Sequence, residues 1–302
     1  QAQQAPNDLS AQLQLVRHRI AAGQSGIAKD NLHRLQNHFG NHPLISYELG
    51  RVFLQEGNTD SARICFLKTV EKQPRNSGAW YMLGEVYRLH EDYDEALKAF
   101  RTALQADPRV YEAYNGMGKV QQARKQYSLA LNSYQKSLEI LAHQPGIYEL
   151  MGDSYFESGN YTAAAANYQK GLLNGNTSAV VLNKLASACF LGKDYENARQ
   201  YILMAVSRDS LNSEIWYNYG NILASRGNFP QAATAYSKAI QLAGNHPDYY
   251  NNLALCYREM GNYNKSLQYF SEGLKKHPGS QLLKANLQIT RKQSNQKQGR
   301  TK

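Results

Sequence analysis

Apolar and small residues recur along the chain with a period of 34 residues. In each period they occupy positions 4, 7, 8 and 11 and then positions 20, 24 and 27, so each set falls on one face of an α-helix. Turn residues separate the two sets, as at Gly57 and Asn58 or Gly159 and Asn160. The pattern therefore predicts tandem helix–turn–helix repeats, each burying its apolar face against the next.

Seven such repeats follow one another without a gap from residue 43 to residue 280. Position 8 is always glycine or alanine, position 20 is alanine or serine, and position 24 is a ring or isoleucine. Small residues at positions 8 and 20 permit close helix approach, and the large residue at position 24 fills the space beside it. The predicted repeats are 43–76, 77–110, 111–144, 145–178, 179–212, 213–246 and 247–280.

These columns, beginning with Trp80, Leu83, Gly84 and Tyr87 of the second repeat, resemble the tetratricopeptide repeat family over residues 43–280. The resemblance implies an all-α fold, a right-handed α-solenoid of about eight repeats with a C-terminal capping helix. Residues 9–42 are predicted to form a degenerate first repeat, and residues 281–292 the capping helix. The polar segment 1–8 and the basic tail 293–302 are predicted to be disordered.

The net charge of +10 is unevenly distributed. Residues 281–302 carry six basic residues and no acidic one, which leaves +4 for residues 1–280, where both signs are mixed. A nucleic-acid site requires a continuous basic face, so no nucleic-acid partner is expected. Membrane association is expected only through an anchor missing from the N-terminus or through the basic tail. Cys65, Cys189 and Cys256 lack CxxC spacing and are interpreted as buried helix-face thiols.

Motifs for catalysis or cofactor binding are missing from the sequence. The eight histidines form no HExxH pattern, and we find no phosphate-binding glycine loop and no GxSxG or SxxK motif. The chain is therefore predicted not to be an enzyme, with no catalytic residue, no metal and no cofactor.

The resemblance places a partner-binding groove on the first helix of each repeat, at positions 2, 5, 9, 12 and 13. Position 5 supplies rings at Tyr47, Tyr81 and Tyr217. Towards the C-terminus amides predominate at and beside these positions: Asn183, Asn218, Asn221, Asn251 and Asn252. An asparagine ladder in the repeats of O-linked GlcNAc transferases holds an extended peptide, because each amide both donates and accepts hydrogen bonds. The alternative is that asparagine is merely a tolerated polar residue on an exposed helix.

A second candidate surface lies in the repeat 145–178, where three acidic residues recur every four positions. Glu149, Asp153 and Glu157 are predicted to form one stripe, with Phe156 and Phe190 at its sides. A basic and apolar segment is one expected ligand of this stripe. The alternative is that Lys119 and Lys184 simply pair with these acids. The Lys–Asn–Arg clamp by which some tetratricopeptide proteins bind a chaperone's C-terminal carboxylate does not occur in three consecutive repeats.

The leading functional prediction is an adaptor or scaffold that binds an extended segment of another protein, with a bacterial envelope assembly as the favoured setting. The alternatives are a structural homo-oligomer joined through the solenoid ends and, third, an RNA-binding solenoid. The opening QAQQAPND resembles an exported bacterial protein after signal removal, which favours a periplasmic or outer-membrane-associated location. Unpaired thiols favour the cytoplasmic alternative.

Overall fold

The computed structural model describes residues 8–244 and 246–299. Within these residues the chain forms seventeen α-helices and no β-strand, so the predicted all-α array of tandem helix pairs is confirmed. The chain divides into two compact units, an N-terminal unit of residues 1–147 and a C-terminal unit of residues 148–302.

The helices of the N-terminal unit follow one another as antiparallel neighbours, each first helix packing on the second helix of its own repeat. Their bounds are Leu9–Ala21 (α1), Ser25–Phe39 (α2), Pro43–Gln55 (α3), Thr59–Lys72 (α4), Ser77–Leu89 (α5), Tyr93–Ala106 (α6), Tyr111–Ala123 (α7) and Tyr127–Ile140 (α8).

The C-terminal unit, which begins within the helix Pro145–Glu157, has the same arrangement and ends in a longer helix. The bounds are Pro145–Glu157 (α9), Tyr161–Leu173 (α10), Ala179–Leu191 (α11), Tyr195–Arg208 (α12), Ser213–Ser225 (α13), Phe229–Leu242 (α14), Pro247–Glu259 (α15), Tyr263–Lys276 (α16) and Gln281–Gly299 (α17). Each odd-numbered helix from α3 to α15 begins at the first position of a predicted repeat.

The core of a repeat forms where the ring at position 24 packs on the small residue at position 8. Phe100 and Tyr168 are almost fully buried. A Cβ atom added to Gly84 would lie 2.5 Å from the Phe100 ring, and one added to Gly152 would lie 2.5 Å from the Tyr168 ring. A larger residue at position 8 would therefore displace the ring, because protein interiors are close-packed.

The turn between the two helices of a repeat uses one left-handed residue at position 15. Glycine occupies it in four repeats, with φ of 77° at Gly57, 81° at Gly159, 76° at Gly227 and 75° at Gly261. In the other three repeats a residue with a side chain adopts the same conformation: Glu91 (62°), Lys125 (58°) and Lys193 (65°). The sequence predicted only the glycine turns, because Glu and Lys are not turn signals.

The C-terminal tail differs from its prediction. Residues 293–299, predicted to be disordered, belong to α17. Leu283 and Leu287 of α17 are buried in a cluster with residues of α15 and α16. Ser294 is also buried, and the ammonium of Lys297 lies 5.5 Å from the centre of the Tyr263 ring. A helix anchored by packing extends readily through glutamine and lysine, which are good helix formers.

Both predicted disordered segments extend beyond the described residues. Residues 1–7 and 300–302 lie outside them. Asp8, which was assigned to the disordered N-terminal segment, instead caps α1, and its carboxylate accepts a hydrogen bond from the Ser10 backbone N–H at 2.9 Å.

Candidate partner-binding face

Two adjoining cavities lie on the first helices of the C-terminal unit. One, of about 290 Å³, is lined by residues of α9, α11 and α13, and the other, of about 390 Å³, by residues of α11, α13, α14 and α15. Both cavities share Phe190 and Asn221. Apolar walls come from Phe156 in the smaller cavity and from Leu255 in the larger one. The two cavities therefore form a continuous surface centred on Phe190, which we call the Phe190 face.

The two phenylalanines of this face are held by neighbouring tyrosines. Each occupies position 12 of its repeat, near the C-terminal end of a first helix, and packs against the tyrosine that begins the following helix. Ring centres are 5.3 Å apart for Phe156 and Tyr161 and 5.9 Å apart for Phe190 and Tyr195, both edge to face. Such pairs favour one ring orientation, so the apolar walls are pre-formed.

Hydrogen bonds connect position 6 of one repeat to position 5 of the preceding repeat, and we call this series the inter-repeat spine. The Asn218 side-chain N–H donates to Asn183 Oδ1 at 2.9 Å. The same positions recur further along the unit. The other bonds are Lys184 Nζ to Glu149 Oε1 (2.8 Å), Asn252 Nδ2 to the Tyr217 hydroxyl (3.3 Å) and Asn286 Nδ2 to Asn251 Oδ1 (2.7 Å).

Further bonds at Asn221 and Asn251 lie both between and within repeats. Asn221 Oδ1 accepts from Asn252 Nδ2 at 3.1 Å and from the Tyr236 hydroxyl at 2.8 Å. Asn251 Nδ2 donates to Asn252 Oδ1 at 3.0 Å. Burial is the main cause that raises the pKa of the Tyr236 hydroxyl, so this group remains a donor over the whole physiological range.

The five predicted ladder amides are therefore brought together, and they bond largely to residues of the chain itself. Asn183 and Asn251 are only 6% and 5% exposed. The interpretation of asparagine as a tolerated surface residue does not describe Asn183 and Asn251, which are buried and bonded, whereas Asn218, Asn221 and Asn252 are half-buried. Gripping a peptide backbone would require bonds within the chain to be exchanged for bonds to the partner. That use of the amides stays a prediction.

The predicted acidic stripe is divided by Lys184. The Lys184 ammonium contacts Glu149 at 2.8 Å and Asp153 at 2.9 Å. Burial lowers the pKa of Lys184, but hydrogen bonds to the two carboxylates outweigh it and the pKa is raised. The Tyr168 hydroxyl also donates to Asp153, at 2.7 Å. Glu157 is exposed and has no ion-pair partner in the described part of the chain.

The three predicted tyrosines differ in their surroundings. Tyr217 belongs to the C-terminal unit, and its ring centre lies 5.0 Å from that of Tyr249. Tyr47 and Tyr81 belong to the N-terminal unit, where each ring lies beside the core phenylalanine of its repeat. Burial is the main cause of the raised pKa of the Tyr47 and Tyr81 hydroxyls. Each is partly exposed, and no cavity described above includes either residue.

Sequence reasoning missed two polar positions. Asn286 ends the spine, and continuing the 34-residue period beyond Ser280 would have identified it as position 6. Glu48, at position 6 in the N-terminal unit, is fully buried between Arg17, at 2.5 Å, and Arg51, at 2.8 Å. Polar residues at position 6 of later repeats, such as Lys184, Asn218 and Asn252, were the available signal that this column carries bonded side chains.

Two negative findings concern the described residues. Residues 8–244 and 246–299 contain no group of three or more His, Cys, Asp or Glu side chains arranged to hold a metal ion. In the same stretch of chain, no helix has the length and apolar character to cross a membrane.

Family models decide the relationship to known proteins. Two models of the tetratricopeptide repeat match, one at residues 13–77, 47–111, 81–145 and 150–213 and the other at residues 211–276. The chain belongs to the tetratricopeptide repeat family. Proteins of this family generally act as scaffolds for interactions between proteins.

Individual relatives share the repeats at low identity. A stretch of 112 residues is 29% identical to intraflagellar transport protein 70A of Danio rerio and covers 35% of this chain but only 17% of that protein. The C-terminal part of a repeat-containing protein from Cytophaga hutchinsonii superposes with a TM-score of 0.67 at 18% identity, over 80% of this chain and 99% of that chain. YrrB, a tetratricopeptide protein with an unusual peptide-binding site, superposes with a TM-score of 0.53 at 20% identity, over 62% of this chain and 96% of the YrrB chain. These structural likenesses show the fold.

Proposed function

We propose that the chain is a protein-interaction scaffold that binds an extended segment of a partner protein on the Phe190 face. The observation that carries the proposal is the pair of adjoining cavities that share Phe190 and Asn221. Cavities of about 290 and 390 Å³ are large enough to receive side chains of a peptide, and their apolar walls favour bulky apolar ones.

The inter-repeat spine supports this proposal indirectly. Bonds such as Asn218 to Asn183 and Asn252 to Asn221 fix consecutive first helices relative to one another. A face that is already ordered loses less conformational entropy when a partner binds. The solved structure of YrrB, whose title names a peptide-binding site, is in keeping with peptide binding by this repeat architecture. A role in a bacterial envelope assembly stays a prediction.

An array of short synthetic peptides with varied sequences tests the proposal. The parent protein is expected to bind a subset of peptides, and Phe190→Ala is expected to weaken that binding by about tenfold or more, because a central aromatic contact is lost. Tyr269→Ala is the matched control, because Tyr269 is a partly buried ring on α16 outside both cavities.

Two outcomes would contradict the proposal. One is that Phe190→Ala, folded as judged by circular dichroism, binds every peptide as tightly as the parent does. The other is that light scattering finds a stable oligomer whose formation depends on Phe190, since this result would favour the structural homo-oligomer.

A further inference from the structure

Charge is segregated between the two helix sets of the C-terminal unit. The first helices, α9, α11, α13 and α15, carry six acidic and two basic residues, whereas the second helices, α10, α12, α14 and α16, carry two acidic and seven basic residues. In the N-terminal unit, α3, α5 and α7 each carry one acid and one base. An acidic first-helix surface is thus particular to the C-terminal unit, in a chain whose net charge is +10.

Two of the accessible acids line the Phe190 face, a third adjoins Phe156, and Asp248, which lies near His246, is not among the lining residues. Glu214 lines the smaller cavity, Glu259 lines the larger one, and Glu157 directly follows Phe156. All three residues are exposed. Of the two basic residues on these helices, Lys184 is bound to Glu149 and Asp153.

The second basic residue, Arg258, does not cancel the negative charge at the Phe190 face. Arg258 also lines the larger cavity, and its Nε lies 3.5 Å from Glu259 Oε1. One base therefore accompanies two acids among the residues that line the cavities, and Glu157 adds a third acid beside them. A cationic ligand finds complementary charge at this face, whereas an anionic ligand meets like charge.

We infer that the occupant of the Phe190 face is an extended protein segment in which bulky apolar residues are flanked by lysine or arginine. This inference rests on the proposed function and specifies its ligand class. Apolar side chains would enter the cavities beside Phe156, Phe190 and Leu255, and the cations would pair with Glu157, Glu214 and Glu259.

The distance between neighbouring helices determines the interval at which side chains of such a segment would contact successive helices. Packed helices lie about 8–10 Å apart, and an extended chain rises about 3.3 Å per residue. A segment that crosses consecutive first helices therefore advances by about three residues from one helix to the next. Helix α11 carries no acid, so basic residues about six apart would meet the acids on α9 and α13, and a further one about three residues on would meet the acid on α15.

Three labelled peptides of equal length, built on the same glycine–serine background, test the inference by fluorescence anisotropy. One carries phenylalanines with lysines spaced three apart, the second replaces lysine by glutamate, and the third replaces phenylalanine by serine. The phenylalanine–lysine peptide is expected to bind about tenfold or more tighter than either of the others. Its affinity is expected to fall as salt is added, because exposed ion pairs are screened.

Protein variants test whether the acids of the Phe190 face cause the preference for the lysine peptide. Combining Glu157→Gln, Glu214→Gln and Glu259→Gln is expected to weaken binding of the phenylalanine–lysine peptide several-fold, because the three attractive charges are lost. The matched control is Glu272→Gln on α16, which lies outside both cavities and is expected to leave binding unchanged. Circular dichroism and urea unfolding verify that the variants are folded.

The outcomes separate this inference from the proposed function. If the lysine and glutamate peptides bind equally, or the triple variant binds like the parent, the inference is overturned while Phe190-dependent binding still supports the scaffold. If no peptide binding depends on Phe190, both fail. A Phe190-dependent dimer would overturn the inference in favour of a second copy, whose α17 carries four basic residues and no acidic one.

Discussion

The side-chain N–H of Asn218 donates a 2.9 Å hydrogen bond to Oδ1 of Asn183, 35 residues earlier in the chain. Asn183 in turn donates to Glu214 at 3.3 Å, so its amide contributes both a donor and an acceptor between repeats. The bond recurs between the same repeat positions at Asn286 and Asn251, where the distance is 2.7 Å. These amides connect consecutive repeats, whatever else they bind.

A double-mutant cycle tests the connection. Asn218→Ala and Asn183→Ala are each expected to lower the free energy of unfolding by about 1 kcal/mol, because the remaining partner loses its hydrogen bond. The double variant is expected to cost less than the sum of the two single variants, by about 0.5–1 kcal/mol. Urea unfolding measures all three. Strict additivity would show that the two side chains do not stabilise each other.

The period of the pattern was sufficient to predict the helix pairs, because each column describes contacts inside one repeat. Gly84 and Phe100 meet through local helix packing that repeats in every hairpin. The bonds of Asn218 and Lys184 were harder to predict. These bonds depend on how consecutive hairpins are oriented. The repeat position of a residue indicates which face of its helix it lies on, but not which atom of the next repeat it contacts. Lys184 pairs with Glu149 and Asp153, as one of the two interpretations of the acidic stripe held, whereas Lys119 forms no ion pair with these acids among the described residues.

Overpacking of the helix contact is the next prediction. Ala164 occupies position 20 and is fully buried, so Ala164→Leu is expected to lower stability by about 1–3 kcal/mol through displacement of its neighbours. Ala166→Leu, on the exposed side of the same helix, is the matched control and is expected to change stability little. Equal melting temperatures for the two variants would contradict the packing described here.

Lys193 offers a stabilising substitution. Its φ of 65° lies in the left-handed region, which disfavours residues with a Cβ atom. Lys193→Gly is expected to raise the free energy of unfolding by up to about 1 kcal/mol. The substitution relieves the backbone strain, and the greater conformational entropy that glycine gives the unfolded chain offsets part of this gain. Gly159→Ala, at the same repeat position, is expected to have the opposite effect. No atom lies within 4 Å of a Cβ added there, so any loss reflects backbone strain alone. A destabilised Lys193→Gly would contradict this account.

Truncation tests the C-terminal part of α17. Removing residues 293–302 deletes the buried Ser294 and the contact between Lys297 and Tyr263, so stability is expected to fall by about 1 kcal/mol. Removing only residues 300–302 is the control and is expected to have no effect. The melting temperature by circular dichroism measures both truncations. If the longer truncation were as stable as the full chain, the prediction of an unanchored tail would be favoured again.

Alkaline pH is expected to destabilise the protein through its buried thiols. Burial is the main cause that raises the pKa of Cys189 to about 11 and of Cys256 to about 12, from an ordinary value of 9.0. Below about pH 9 both states keep these protons, so the thiols add no pH dependence. Above it the unfolded chain releases protons that the folded chain retains, and stability falls as pH rises, by up to about 1.4 kcal/mol per pH unit for each thiol.

Combining Cys189→Ala and Cys256→Ala removes this contribution while leaving the tyrosines and lysines unchanged. Urea unfolding at about pH 8 and about pH 10 under reducing conditions is therefore expected to show a smaller loss for the double variant, by about 1 kcal/mol per thiol. The same loss in parent and variant would show that these thiols ionise equally in the folded and unfolded chains.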